Sequence, residues 1–215
     1  MSEPKTMSRS NKYQPYLKSR RNIWKEIVKF VQKDTGEIHT LVELGAGYCD
    51  FINQFPAKQK IGYDIRTEIV QFAGPEIDLR IENAVRLPGI RNNSVDLVFA
   101  SNFMEHLAQE ELDTLLPRIL EVLTHRGMLI LIQPNYRLCP EHYFDDETHQ
   151  TIFSDKNIVP FLEEYGFRIL KLIPGLLPFS MKSQLPKCPF LVRLYLKSPI
   201  KPLAGQMYVV AEKGI

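Results

Sequence analysis

The run Leu41-Val42-Glu43-Leu44-Gly45-Ala46-Gly47-Tyr48-Cys49-Asp50-Phe51 constrains this chain more than any other stretch. A mainly apolar segment leads into two glycines one residue apart, which reads as a buried strand that bends sharply and opens a helix. Gly45 and Gly47 lack the Cβ that would hold a ligand off the backbone, and they tolerate the φ values a tight turn needs. A dinucleotide fingerprint would place a third glycine at position 50, where Asp50 stands. A carboxylate at the start of a helix repels a pyrophosphate, which argues against a nicotinamide dinucleotide. Glu43 adds a second negative charge. The turn therefore asks for a ligand with a cationic end, an adenosine and no phosphate.

Three more segments stand at telling distances from that turn. Lys60-Ile61-Gly62-Tyr63-Asp64-Ile65 reads as a second strand ending in an acid, 17 residues beyond Gly47. An α/β nucleotide site places its ribose-binding carboxylate about there. A third strand, Ile77 to Ile81, ends at Glu82-Asn83-Ala84, where a side-chain amide and a small residue can face an adenine edge. Next, Asn93-Ser94-Val95-Asp96-Leu97-Val98-Phe99-Ala100-Ser101-Asn102-Phe103-Met104-Glu105-His106-Leu107 reads as a buried strand, a polar turn and a helix. A lone G-x-G is often only a turn; four such segments in this order are not.

In these motifs the chain resembles the class I S-adenosylmethionine-dependent methyltransferases, of the small-molecule group with an E-L-G-x-G first motif and a D-x-V-x-x-x-x-x-x-E-H-L fourth motif. The resemblance covers roughly residues 37 to 173 and returns in the last strand. It implies S-adenosyl-L-methionine as cofactor. It also implies that Glu43, Gly45, Ala46, Gly47 and Tyr48 line the methionine end, Asp64 and Ile65 the ribose, Asn83 and Ala84 the adenine, and Ser101 with Asn102 the rim beside the sulfonium. Asn83 stands where that group usually has an acid, and Tyr48-Cys49 replaces a commoner small pair.

The periodicity predicts an α/β fold. Ile23, Ile27, Phe30 and Val31 recur at helical spacing beside Trp24 and Val28, so residues 16 to 33 should form an amphipathic helix that lids the cofactor cleft. Strands are predicted near 39–44, 59–64, 77–82, 94–101, 127–133, 167–173 and 206–212. Helices are predicted near 48–55, 66–73, 108–123 and 155–165, the last closed by Gly166. Such alternation gives a doubly wound, mainly parallel sheet covered on both faces. The resemblance makes it Rossmann-like and seven-stranded, in the order 3-2-1-4-5-7-6 with strand 7 antiparallel. The predicted organisation is a basic N-terminal arm with its lid helix over 1–36, then a methyltransferase domain over 37–215 with an insertion at 174–205.

At 215 residues, 44% hydrophobic and 24% charged, the chain suits one folded domain with a large core. No apolar run approaches the roughly 18 residues of a membrane span, and the charged N-terminus is not a signal peptide. The expected location is cytoplasmic, with peripheral membrane contact open. Cys49, Cys139 and Cys188 are odd in number and unpaired in spacing, so neither a disulfide framework nor a zinc site is indicated. Net charge is only +2, yet residues 1–33 carry nine Lys or Arg against two acids, and 182–215 carry six against one. Two basic ends around an acidic middle point to an anionic partner: a membrane surface, a phosphate-bearing substrate or a nucleic acid. Solvated arms are the simpler explanation.

The acceptor pocket of such a sheet lies beyond the carboxyl ends of the strands. His106, entering the helix after strand 4, could accept a proton or merely order the cleft wall. Further on, Glu141 to Thr151 holds two His and four acids within nine residues, without an H-E-x-x-H or calcium-loop register, so no metal is assigned. By the resemblance, an acid-rich loop, T-H, Phe153, the cap Ser154 and a helix closed by Gly166-Phe167 are what small-molecule and sugar methyltransferases show here. That places Asp146, Thr148 and His149 beside the acceptor, with His149 the preferred general base. The segment Pro174 to Gln206 mixes apolar runs with Lys182, Lys187, Arg193, Lys197 and Lys201. It reads either as a pocket cover or dimer contact, or as a basic amphipathic piece on an anionic membrane.

Three functions stay open. The first is methylation, by in-line displacement, of an oxygen on a small molecule or glycoconjugate. The second is methylation of RNA or protein, which the turn Ala100-Ser101-Asn102-Phe103 disfavours for base and amide nitrogens because it is not N-P-P-Y. The third is a non-catalytic module that keeps the fold for interaction.

Overall fold

The computed structural model describes residues 10–178 and 188–214, of which 10–18 by backbone alone. Seven strands form one sheet: β1 (Ile38–Leu44), β2 (Ala57–Asp64), β3 (Ile77–Ile81), β4 (Val95–Ser101), β5 (Leu123–Pro134), β6 (Phe167–Pro178) and β7 (Ala204–Lys213). Their order is β3-β2-β1-β4-β5-β7-β6. The first five pair in parallel, and β7 runs antiparallel to both β5 and β6. This is the Rossmann-like α/β architecture expected from the sequence, with the first crossover after β1 creating the cleft at its carboxyl end.

Alternation along the strands divides the core between the two faces. Val42, Leu44, Val98, Ala100, Leu129 and Leu131 meet α2 (Gln109–Val122) and α3 (Ile158–Glu164) through Leu112, Leu116, Ile119, Ile158 and Leu162. Leu41, Leu97, Phe99, Ile130 and Ile132 face the other way, toward α1 (Ser10–Val31) and α4 (Pro189–Lys197). Trp24 of α1 meets Phe51 and Phe99 edge-on, and those two rings stack at 3.6 Å between centroids. The N-terminal helix is thus built into the core from Ile23 to Val31 rather than resting on it as an arm.

Three local expectations change. Residues 48–55 form successive turns, not a helix, because Cys49 adopts a left-handed φ of 55° and the Ile52 N–H goes to the Glu43 side chain instead of a backbone carbonyl. Residues 66–73 tighten to a 3₁₀ helix, Thr67–Phe72, with Ile69 its one buried side chain. The segment expected to leave the sheet at 174 continues as β6 to Pro178, since Leu176 and Leu177 are buried and Leu177 pairs with Gln206 across a bulged ladder. Residues 179–187, including Lys182 and Lys187, lie outside the described residues. Among the described residues no helix is long and apolar enough to cross a membrane.

Candidate functional site

The carboxyl end of β1 opens into a cavity of about 200 Å³ lined by Arg20, Trp24, Glu43, Gly45, Ala46, Gly47, Tyr48, Asp50, Phe51, Arg66, Ser101 and Asn102. Seven of these are residues the sequence assigns to the cofactor. Gly45 and Gly47 both take positive φ, 64° and 54°. At Gly45 a Cβ would come within 2.8 Å of the Phe103 ring, so that position tolerates no side chain on two counts. Asn102 also adopts a positive φ, 49°, and its amide oxygen accepts from Gln206 Nε2 at 2.7 Å, which ties the rim after β4 to β7.

Two carboxylates, Glu43 and Asp50, line the cavity, and a third, Asp64, is bonded to its lining residues Gly47 and Arg66. Asp50 is paired with Arg20 of α1, and that guanidinium also lies 5.0 Å from the centre of the Tyr48 ring. The carboxylate that disfavours a pyrophosphate in the sequence is therefore neutralised by a residue thirty positions upstream, and it does not head a helix. Asp64 accepts from the Gly47 N–H at 2.9 Å, and from the Arg66 N–H and side chain at 3.0 to 3.1 Å. Burial pushes its carboxyl up, but the Arg66 contacts and the backbone donors outweigh that and hold it below the ordinary value. Glu43 is buried and accepts from Ile52 N–H at 3.0 Å. Desolvation, reinforced by Asp50 and Asp64, raises its pKa well above the carboxylate range.

The remaining cofactor candidates stand apart from this cavity. Ile65 is 74% exposed just beyond β2. Asn83 turns its side-chain oxygen onto the Val85 N–H, capping a short 3₁₀ turn, and Ala84 is buried in that turn. Arg20, Trp24, Phe51 and Arg66 are the lining residues that sequence reasoning missed. Trp24 and Arg20 are one helical turn apart on the helix expected as a lid, so their common face is legible; Arg66 carries no such signal.

The cavity fits an adenosyl sulfonium. Among the described residues Trp24 Nε1 is buried without a hydrogen-bond partner, Glu43 has no directly bonded cation, and the glycine cradle admits a ligand against the backbone. Glu43 with Gly45 to Tyr48 would hold the cationic end, and Ser101 with Asn102 the rim. Asp64 reaches ribose hydroxyls only once Arg66 gives up part of its hold.

A second constellation follows β4 directly. Glu105 and His106 sit in the 3₁₀ turn Met104–His106, and His149 comes from the loop after β5. Two backbone bonds from Gln150 and Thr151 to the Glu105 carbonyl, at 2.8 and 3.1 Å, hold the segments together, with Gln150 Nε2 on the His106 carbonyl at 2.6 Å. One ligand atom from each of Glu105, His106 and His149 lies within 4.8 Å of the others. His149 Nδ1 donates to the Tyr143 carbonyl at 2.5 Å, which leaves the Nε2 electron pair free. Thr148 donates its hydroxyl to Asp146 at 2.5 Å and accepts from His106 Nδ1 at 2.8 Å, with the same result. Burial and the neighbouring His149 lower the His106 pKa. Glu105 is fully buried, neither carboxylate oxygen has a hydrogen-bond partner, and desolvation pushes its pKa up to about 8. Asp146, Thr148 and His149 thus meet His106 as one network, while His142 stays at the surface with Asp145. Sequence spacing hides the metal-type grouping because its members come from segments over forty residues apart.

Comparison places this architecture. Residues 42–131 match the family model described as a methyltransferase domain. Sequence comparison with curated proteins gives no match. Among solved structures, the chain is similar to an S-adenosylmethionine-dependent methyltransferase from Archaeoglobus fulgidus, with TM-score 0.68 and 18% identity over 95% of this chain and 100% of that one. It is similar also to a chain of the complex between the Haloferax volcanii Trm112 methyltransferase activator and a methyltransferase, with TM-score 0.70 and 12% identity over 96% of each. The DhpI structure solved with S-adenosylhomocysteine aligns with TM-score 0.60 and 12% identity over 93% of this chain and 87% of that one. Residues 42–131 thus match a methyltransferase domain, and the strand order around them is that of the Rossmann-like fold its structural neighbours share.

Proposed function

We propose that the protein methylates a hydroxyl oxygen of a small molecule or glycoconjugate. The observation that carries this reading is the grouping of His106, His149 and Glu105, one ring nitrogen of each histidine and one carboxyl oxygen lying within 4.8 Å of one another, with both Nδ1 atoms already hydrogen-bonded. A hydroxyl must lose its proton as the new O–C bond forms, and two imidazole nitrogens with free electron pairs suit that task. When bound, S-adenosylmethionine supplies a methyl group on a positively charged sulfur, open to in-line displacement. The chain supplies position: glycines that let the cofactor lie against backbone, and a loop stitched onto Glu105 that fixes His149 opposite. His149 is the candidate base, its ring oriented by the Tyr143 carbonyl.

A methyl-transfer assay with labelled cofactor on glycan and small hydroxyl acceptors tests the proposal. His149→Ala should lower turnover by about 100-fold or more at unchanged cofactor affinity, with loss of the ascending limb of the pH profile. A drop in melting temperature with normal turnover per folded molecule removes His149 from the chemistry. The basic ends favour an acceptor carried on a polyanion or an anionic lipid over a neutral one. RNA as acceptor is separated by its steep salt dependence of binding.

A further inference from the structure

We infer that Glu105, His106 and His149 form a site for one divalent transition-metal cation of the zinc type. Two imidazoles and one carboxylate are a ligand set that leaves a coordination position open, as catalytic zinc sites do. The structure supplies the features such a site needs beyond ligand type. The Glu105 carboxyl is 0% exposed and neither oxygen has a hydrogen-bond partner among the described residues, so a buried oxygen ligand stands there without a protein cation on it. Each histidine has its Nδ1–H committed, His149 to the Tyr143 carbonyl and His106 to Thr148, whose own hydroxyl is held by Asp146. Such second partners fix tautomer and ring orientation in metal-ligating histidines, and they leave both Nε2 atoms as ligands. The three donor groups already lie within 4.8 Å. Bonds of about 2.0 to 2.2 Å in a tetrahedral site require them to close by roughly an ångström, which side-chain rotation supplies.

The two histidines are half-buried, so the fourth position faces the acceptor side. A hydroxyl coordinated there loses its proton to water more readily than a free one. His149 is then a ligand, and the cation replaces it as the group that activates the acceptor. This use of the metal rests on the acceptor placement proposed above; the binding of the metal does not.

The test is made on the full chain after dialysis against a chelator, with Zn²⁺ alone as probe. Calorimetry and elemental analysis should show one equivalent bound and a raised melting temperature. Glu105→Gln and His106→Ala should each weaken Zn²⁺ binding by at least 100-fold, with the chelated melting temperature and circular dichroism reporting whether each variant folds. Tight binding that survives both folded variants overturns the site, and so does less than one equivalent on the wild type. One equivalent lost in the variants, together with wild-type turnover that a chelator abolishes and Zn²⁺ restores, upholds the site and sinks His149 as the base; no Zn²⁺ bound while turnover needs His149 sinks the site and upholds the base.

Discussion

Glu43 holds its proton because burial strips it of water and because Asp50 and Asp64 lie nearby. A cation placed beside it stabilises the ionised form. Cofactor affinity should therefore rise with pH across the range in which Glu43 titrates in the free protein, and binding should release a proton. Calorimetry in buffers of different ionisation enthalpy measures that proton directly, and Glu43→Gln should abolish the Glu43-dependent part of it. An identical pH dependence in the variant would remove Glu43 from the cationic end of the site. At Asp64 the structure adds a competitor the sequence does not show. Asp64→Ala should weaken cofactor binding by about tenfold or more, the worth of charge-assisted bonds to two hydroxyls at ~1.5 to 3 kcal/mol. Arg66→Ala should move affinity the other way, by releasing the carboxylate. Unchanged affinity in Asp64→Ala would show that the ribose binds elsewhere.

At the scale of elements, the legible parts are those with a period. Strands β1 to β4 and helices α2 and α3 are predicted to within a few residues, because buried alternation and amphipathic repeats are written locally. The turn segment 48–55 is not, since its geometry depends on a hydrogen bond between Ile52 and Glu43 on a preceding strand. The same limit applies to the site: Gly45 and Gly47 announce themselves, whereas Glu105 and His149 meet only when the loop 148–151 docks on the turn after β4. A further contact of this kind joins the two ends of the chain. Glu26 of α1 accepts two bonds from Arg193 of α4, at 2.8 and 3.0 Å, and one from Lys29 at 2.9 Å. The Arg193 contact lowers its pKa from 4.5 to about 2. A folded value below the unfolded one means that the pair stabilises fully above about pH 4.5, and that this is lost as pH falls toward 2. The melting-temperature gap between wild type and Glu26→Gln should be widest near neutral pH and close over that window. A gap that is constant with pH would show that α4 is held by Leu196 packing alone.

Over the whole molecule, the charges separate into basic ends and an acidic middle, and α1 and α4 bring those ends to one face of the sheet. On that face α4 buries Leu196 and turns Phe190, Leu191 and Leu194 outward, with Ile200 and Leu203 exposed just after it. Phe190 and Leu194 are one helical turn apart, and Lys197 is exposed on the next turn. Apolar side chains flanked by cations suit the surface of an anionic bilayer, where the side chains enter the headgroup region and the lysines meet lipid phosphates. A glycoconjugate carried on a lipid would then meet the cleft without leaving the membrane. The expected outcome is sedimentation with vesicles of mixed phosphatidylcholine and phosphatidylglycerol, lost in pure phosphatidylcholine and weakened by salt. The double substitution Phe190→Ser, Leu194→Ser should reduce binding to the anionic vesicles by about tenfold or more, since each removes a large apolar side chain worth about 1.5 to 3 kcal/mol when fully buried. Both positions are exposed, so melting temperature and cofactor affinity should stay unchanged. Binding that persists in the double variant, or that ignores lipid charge, would leave the apolar face to a protein partner or to a second copy of the chain, which sedimentation of the protein alone distinguishes.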